Sequence, residues 1–129
     1  TVEGMKVLLV EDNEINQEIA RFMLENEGAD VVCAQDGKEA VELFEESDEG
    51  EYDAILMDIM MPVMNGLEAT REIRKTKRRD AKTVGIIALT ANAFIEDKQK
   101  SKEAGMNEHL AKPLDIQKML CTVAKYKRA

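Results

Sequence analysis

Three carboxylates, one hydroxyl and one amine stand out in this 129-residue chain, because each ends or follows a short apolar run. Glu11 and Asp12 follow residues 6–10 (Lys, Val, Leu, Leu, Val), and Asp58 closes the run Ala54, Ile55, Leu56, Met57. Thr90 follows residues 84–89, and Lys112 follows His109, Leu110 and Ala111. If these positions meet in space, the carboxylates repel one another and a hard divalent cation relieves the conflict. Magnesium suits such a site, because it takes oxygen ligands in an octahedral shell and keeps several waters. The cation can also bridge an incoming phosphoryl group. Lys112 can hold a second phosphoryl oxygen as a point charge, and Thr90 can donate a hydrogen bond to a third. A carboxylate nucleophile yields an acyl phosphate. Because phosphoryl transfer rests mostly on positioning and charge stabilisation, these few groups suffice.

The elements that must position them are legible from periodicity. The apolar runs at 6–10, 31–33, 54–57, 84–89 and 109–111 are short, several are rich in β-branched residues, and Gly, Asp, Asn or Pro bound most of them, as expected of buried strands. Helical spacing lies between them. Ile15, Ile19, Phe22 and Met23 share one face, with Gly28 as a stop signal. Ala40, Val41 and Phe44 mark a second helix, and Leu67, Thr70 and Ile73 a third. Ile116, Met119, Leu120 and Val123 give the last helix the spacing of a well-buried face. Residues 94–104 are nearly all polar after Phe94 and Ile95, so a helix there docks weakly and belongs to the low-stability end of the structure. Five strands alternating with five helices predict a doubly wound five-stranded parallel sheet with helices on both faces. In such α/β sheets, sites form at the carboxyl ends of the strands.

Composition narrows the classes. A chain of this length at 44% apolar builds one core without disulfides or metal, although aromatics are only 4% and eight Met help fill it. The net charge of −8 disfavours nucleic acid and anionic membrane as partners of this domain. The basic run Arg74, Lys75, Lys77, Arg78, Arg79 and Lys82 has no interleaved aromatics and reads as a solvated loop. Cys33 and Cys121 form no CxxC pair and are expected to be buried, reduced thiols of a cytoplasmic protein. No run is long enough to span a bilayer. The chain starts at Thr1, which fits a segment of a longer protein or a residual tag.

Each candidate also has an ordinary use. Glu11, Asp12 and Asn13 can form a helix-capping turn, Thr90 a cap, and Lys112 a solvated lysine. Their joint appearance at strand ends favours chemistry. Together, Glu11-Asp12, the segment from Met57 through Asp58, Met60 and Pro62 to Gly66, Leu89-Thr90-Ala91 and Lys112-Pro113 resemble the receiver domain of two-component response regulators. The likeness covers residues 6–126, the core of a single receiver domain over 1–129.

The resemblance implies a flavodoxin-like fold of receiver type, with strand order 2-1-3-4-5, and a role for each residue. Asp58 is the implied phosphoacceptor. Asp12, Glu11, Asp58 and the backbone carbonyl of Met60 are the implied ligands of Mg2+, or of Mn2+ in its place. Thr90 is the implied switch hydroxyl, Lys112 the phosphate-binding amine, and the Lys112–Pro113 bond is implied to be cis. His109 falls at the second switch position, where an aromatic is usual. The strings at 11–16, 90–93 and 104–110 resemble receivers of hybrid sensor histidine kinases. The implied partners are a sensor histidine kinase and a histidine-phosphotransfer domain. The parent protein could then be a hybrid histidine kinase anchored in a membrane, while this domain stays cytoplasmic. Oligomeric state stays open, a homodimer included.

Two other classes compete. An Asp-nucleophile phosphohydrolase usually carries a second acid two residues after the nucleophile, and here that residue is Met60. A receiver-like module that never takes phosphate would lack the acid pair, the Asp or the Lys, and all are present. Neither G-x-x-x-x-G-K-[S/T] nor G-x-G-x-x-G occurs, so the phosphoryl donor must be another domain or protein.

Overall fold

We describe a computed structural model over residues 1–61, 63–91 and 95–127, the side chains of 95–98 excepted. The elements run β1 (Lys6–Val10), α1 (Glu14–Asn26), β2 (Asp30–Ala34), α2 (Gly37–Glu46), β3 (Ala54–Asp58), α3 (Gly66–Lys75), α4 (Asp80–Thr83), β4 (Gly85–Thr90), α5 (Ile95–Ala104), β5 (Glu108–Ala111) and α6 (Ile116–Ala124). All strand pairs are parallel, in the order β2-β1-β3-β4-β5. The strands alternate strictly. Val7, Leu9, Leu56, Ile87 and Leu89 face a core closed by Ala20 and Leu24 of α1 and by Met119 and Val123 of α6. Leu8, Val10, Ile55, Met57 and Ile86 face a second core closed by Ala40 and Phe44 of α2 and by Ala69 and Ile73 of α3. Covering both faces is what makes the strands read as continuous apolar runs. Val2 belongs to the first core, and a shallow depression brings Thr1 and Val2 beside Gln117, Leu120 and Cys121 of α6.

The structure corrects several expectations. Among the described residues there are six helices, because one extra turn, α4, precedes β4. α1 does not bury the face that its spacing marks out. Ile15, Ile19 and Phe22 are 71%, 48% and 69% exposed, and the helix is anchored through Ala20 and Leu24 instead. In α6, Met119 and Val123 are buried but Ile116 is 44% exposed. The basic run is not simply a solvated loop. Arg74 donates to the carbonyls of Ala81, Val84 and Gly105 and to Asn107 Oδ1. Arg78 grips Asp80 with two hydrogen bonds of 2.9 and 2.7 Å, reaches the carbonyls of Phe44, Ser47 and Asp48, and lies over the Phe44 ring. Cys33 is half-buried and Cys121 exposed, both as free thiols. No described helix is long and apolar enough to cross a membrane.

Candidate functional site

The order of strand addition reverses across β1: the chain moves outward to β2, then returns to place β3 on the other side. Loops leaving neighbouring strands at such a point diverge and leave a crevice. Glu11 and Asp12 enter it from β1 and Asp58 from β3. Asn13 fixes the first turn of α1, its side chain accepting from the Asn16 N–H at 3.0 Å. The Glu11 N–H donates to the Ala34 carbonyl at 3.1 Å, and the Gln17 amide donates to the carbonyls of both Glu11 and Ala34. Gln17, which has no marked pattern in the sequence, thus ties the acid pair to β2.

The carboxylates of Glu11, Asp12 and Asp58 each bring an oxygen within 4.8 Å of the others. Glu11 and Asp58 are buried, 3% and 4% exposed, while Asp12 is exposed. Lys112 Nζ sits 2.9 Å from Asp58 Oδ2 and 3.0 Å from Glu11 Oε2. The Met60 N–H donates to Asp58 Oδ1 at 3.3 Å, and the Asn13 N–H to Glu11 Oε1 at 3.2 Å. Burial pulls the Lys112 pKa down, but hydrogen bonds to Asp58 and Glu11 outweigh it and the net direction is up. Three carboxylates against one ammonium leave two negative charges, which a divalent cation would match with oxygen ligands.

Of the other expected residues, Thr90 ends β4, while His109 lies two residues before the end of β5. Thr90 is buried at the end of β4, and its carbonyl accepts from the Lys112 N–H at 2.9 Å. His109 is half-buried on β5 opposite Ala88. The Lys112–Pro113 bond is cis. Met60 is exposed beside the cluster. Pro62, Asn92, Ala93 and Phe94, which fall in segments singled out in the sequence, lie outside the described residues.

Residues 7–124 match the response regulator receiver domain family. The chain is a receiver domain. It is 42% identical over 112 residues, 85% of its length, to hybrid signal transduction histidine kinase I of Dictyostelium discoideum. It spans only 6% of that relative, and 15% of the aerobic respiration control sensor protein ArcB of Escherichia coli. Among solved structures, the receiver domain of the Pseudomonas aeruginosa sensor histidine kinase PA1611, described with a magnesium ion coordinated in its active-site cleft, is 42% identical. It superposes with a TM-score of 0.85 over 95% of this chain and 97% of that one. The Saccharomyces cerevisiae Ssk1 receiver domain, solved with the histidine phosphotransfer protein Ypd1, is 32% identical. Its TM-score is 0.85 over 98% of this chain and 90% of that one. Here Glu11, Asp12, Asp58 and Lys112 gather at one sheet edge.

Proposed function

We propose that this domain, a single unit with its core over residues 6–126, accepts a phosphoryl group from a phosphohistidine onto Asp58. It then switches conformation or passes the group to a histidine-phosphotransfer partner. The observation that carries this is the salt-bridged position of Lys112 between Asp58 and Glu11, at a cluster where Asp12 completes three carboxylates. Asp12, Glu11, Asp58 and the Met60 carbonyl would hold Mg2+ or Mn2+. When bound, the cation supplies charge neutralisation to the incoming phosphoryl oxygens.

An Asp58 carboxylate oxygen attacks phosphorus, the phosphorus–nitrogen bond of the phosphohistidine breaks, and the imidazole leaves with the bonding pair. Lys112, released from Asp58, holds one phosphoryl oxygen, and Thr90 donates to another. Water attacking phosphorus later breaks the bond to the Asp58 oxygen, releasing inorganic phosphate and regenerating the carboxylate. Catalysis is confined to this self-transfer and self-dephosphorylation. Thr90 and His109 carry the switch, and α5 shifts with it. Of the described α5 side chains only Ser101 and Ala104 are buried, which favours such a shift.

The partner is proposed to seat a helix on α1. A groove of about 450 Å³ between α1 and the segment after β5 is lined by Leu9, Ile19, Met23, Leu89 and Leu114, and it shares Glu11 and Lys112 with the cluster. An apolar helix docked there brings its phosphohistidine to Asp58. The exposed Ile15, Ile19 and Phe22 extend that surface. The crystallised pairing of the related Ssk1 receiver with Ypd1 supports a partner of this kind.

Intact mass after incubation with acetyl phosphate or phosphoramidate tests the reaction. A gain of about 80 Da, dependent on Mg2+ and absent in Asp58→Ala, is expected for one phosphoryl group. No gain in the wild type under any condition overturns it.

A further inference from the structure

Residues 59–61 leave the end of β3, with the Met60 main chain on the Asp58 carboxylate, and residues 63–65 lead into α3. Two backbone–backbone hydrogen bonds fix the ends of this loop: the Ile59 N–H donates to the Leu89 carbonyl of β4 at 3.2 Å, and the Gly66 N–H to the Ile59 carbonyl at 2.9 Å. A third comes from an element with no residue in the cluster. The N–H of Gly37, first residue of α2, donates to the Met64 carbonyl at 3.0 Å. The contact is possible because position 37 has no side chain. A Cβ there would lie 2.4 Å from the Met64 oxygen and 3.0 Å from the Ala69 Cβ. Gly37 does not occupy the left-handed region, so close approach and not backbone freedom is what glycine provides here.

A second observation shows how tightly the loop is held. Val63, next to the tethered Met64, has φ of 68° while its side chain is exposed. A β-branched residue keeps that conformation only where its surroundings over-determine it.

We propose that Gly37 is a positioning residue for the phosphoryl-transfer site. By drawing the loop against the start of α2, it sets the Met60 main chain at the distance from Asp58 that cation binding requires. This rests on the function proposed above, in which the Met60 carbonyl is a ligand. Helix propensity opposes the choice, since alanine is favoured over glycine within a helix. A purely local role therefore predicts that Gly37→Ala is harmless or stabilising.

The test is Mg2+ titration by calorimetry on the wild type, Gly37→Ala and Gly37→Ala/Ala69→Gly, with circular dichroism to confirm folding. Gly37→Ala is expected to raise the Mg2+ dissociation constant about ten- to a hundredfold, the range for groups that orient metal ligands. The double variant is expected not to recover, because removing the Ala69 methyl leaves the Met64 oxygen obstructed. Unchanged affinity in folded Gly37→Ala overturns the proposal. So does full recovery in the double variant, which would place the effect in α2–α3 packing. Should Gly37→Ala not fold, amide exchange on the wild type decides. Coupling requires Mg2+ to slow exchange at Gly37, and an unchanged rate overturns the proposal. If the wild type itself binds no Mg2+, the proposed function fails, and not the role of Gly37 alone.

Discussion

The two oxygens of the Asp58 carboxylate have different partners, and Lys112 holds only one of them: its ammonium lies 2.9 Å from Oδ2, while Oδ1 accepts from the Met60 N–H. The lysine therefore acts as an internal counter-ion for the carboxylates as long as no other cation is bound.

Lys112→Met should thus have opposite effects on stability and on metal affinity. Without divalent ions, Glu11 and Asp58 are left buried with no cation between them, and the fold should lose about 3 kcal/mol, the usual cost of removing one partner of a buried pair. The extra negative charge should make Mg2+ bind more tightly than in the wild type, and saturating Mg2+ should return part of the lost stability. Urea unfolding with EDTA and with Mg2+ measures both.

Phe22→Asp should separate partner docking from chemistry. Phe22 is on the exposed face of α1 and has no part in the carboxylate cluster. Labelling by acetyl phosphate should match the wild type. Transfer from phosphorylated Ypd1, used as a donor of the proposed class, should fall about tenfold or more, as expected when an aromatic anchor is lost. Equal loss with both donors would move Phe22 from docking to folding.

Arg78→Ala should destabilise the fold without touching the site. Asp80 is 2% exposed and Arg78 supplies it with a paired, two-point contact. Removing the guanidinium should cost about 3–5 kcal/mol. Mg2+ affinity of the folded fraction should not change, which calorimetry well below the melting temperature can verify.

Alkaline pH should expose the role of Tyr126. Its hydroxyl donates to Glu108 Oε2 at 2.6 Å, and burial together with that hydrogen bond pushes the phenol up to about 12. An unfolded tyrosine titrates near about 10. With the folded value the higher one, the folded state holds its proton more tightly. The stabilisation is complete below pH of about 10 and is lost as pH rises towards about 12. The wild type should be more stable than Tyr126→Phe at neutral pH, and the gap should close across that window. Tyr52, whose phenol burial also pushes up, adds a loss of the same sign to both proteins and cancels in the comparison.

Local pattern reveals the sheet and the site far better than it reveals what the helices touch. Each strand is short, doubly covered and apolar, and each candidate residue ends or follows one, so the neighbourhood of Glu11, Asp12, Asp58 and Lys112 could be expected from the chain alone. Helical spacing is weaker evidence. It shows that Ile15, Ile19 and Phe22 share a face, but that face turns to solvent because the smaller Ala20 and the next-turn Leu24 meet the sheet. Arg74 and Arg78 were illegible for another reason. Their partners include carbonyls of Gly105 and Ser47, 31 residues away in each case, and no local pattern marks a long-range cap. Gly37 shows nothing unusual beyond its place after a helix cap, since its importance depends on a loop that reaches it from β3.

The position of Val2 in the core shared with α6 has a consequence for how such a unit can be joined to others. The first residues and the last helix lie on one side of the sheet. A host polypeptide carrying this fold would therefore meet it at a single neighbourhood, as a tool meets its handle. The carboxylate cluster at the strand ends lies outside that neighbourhood.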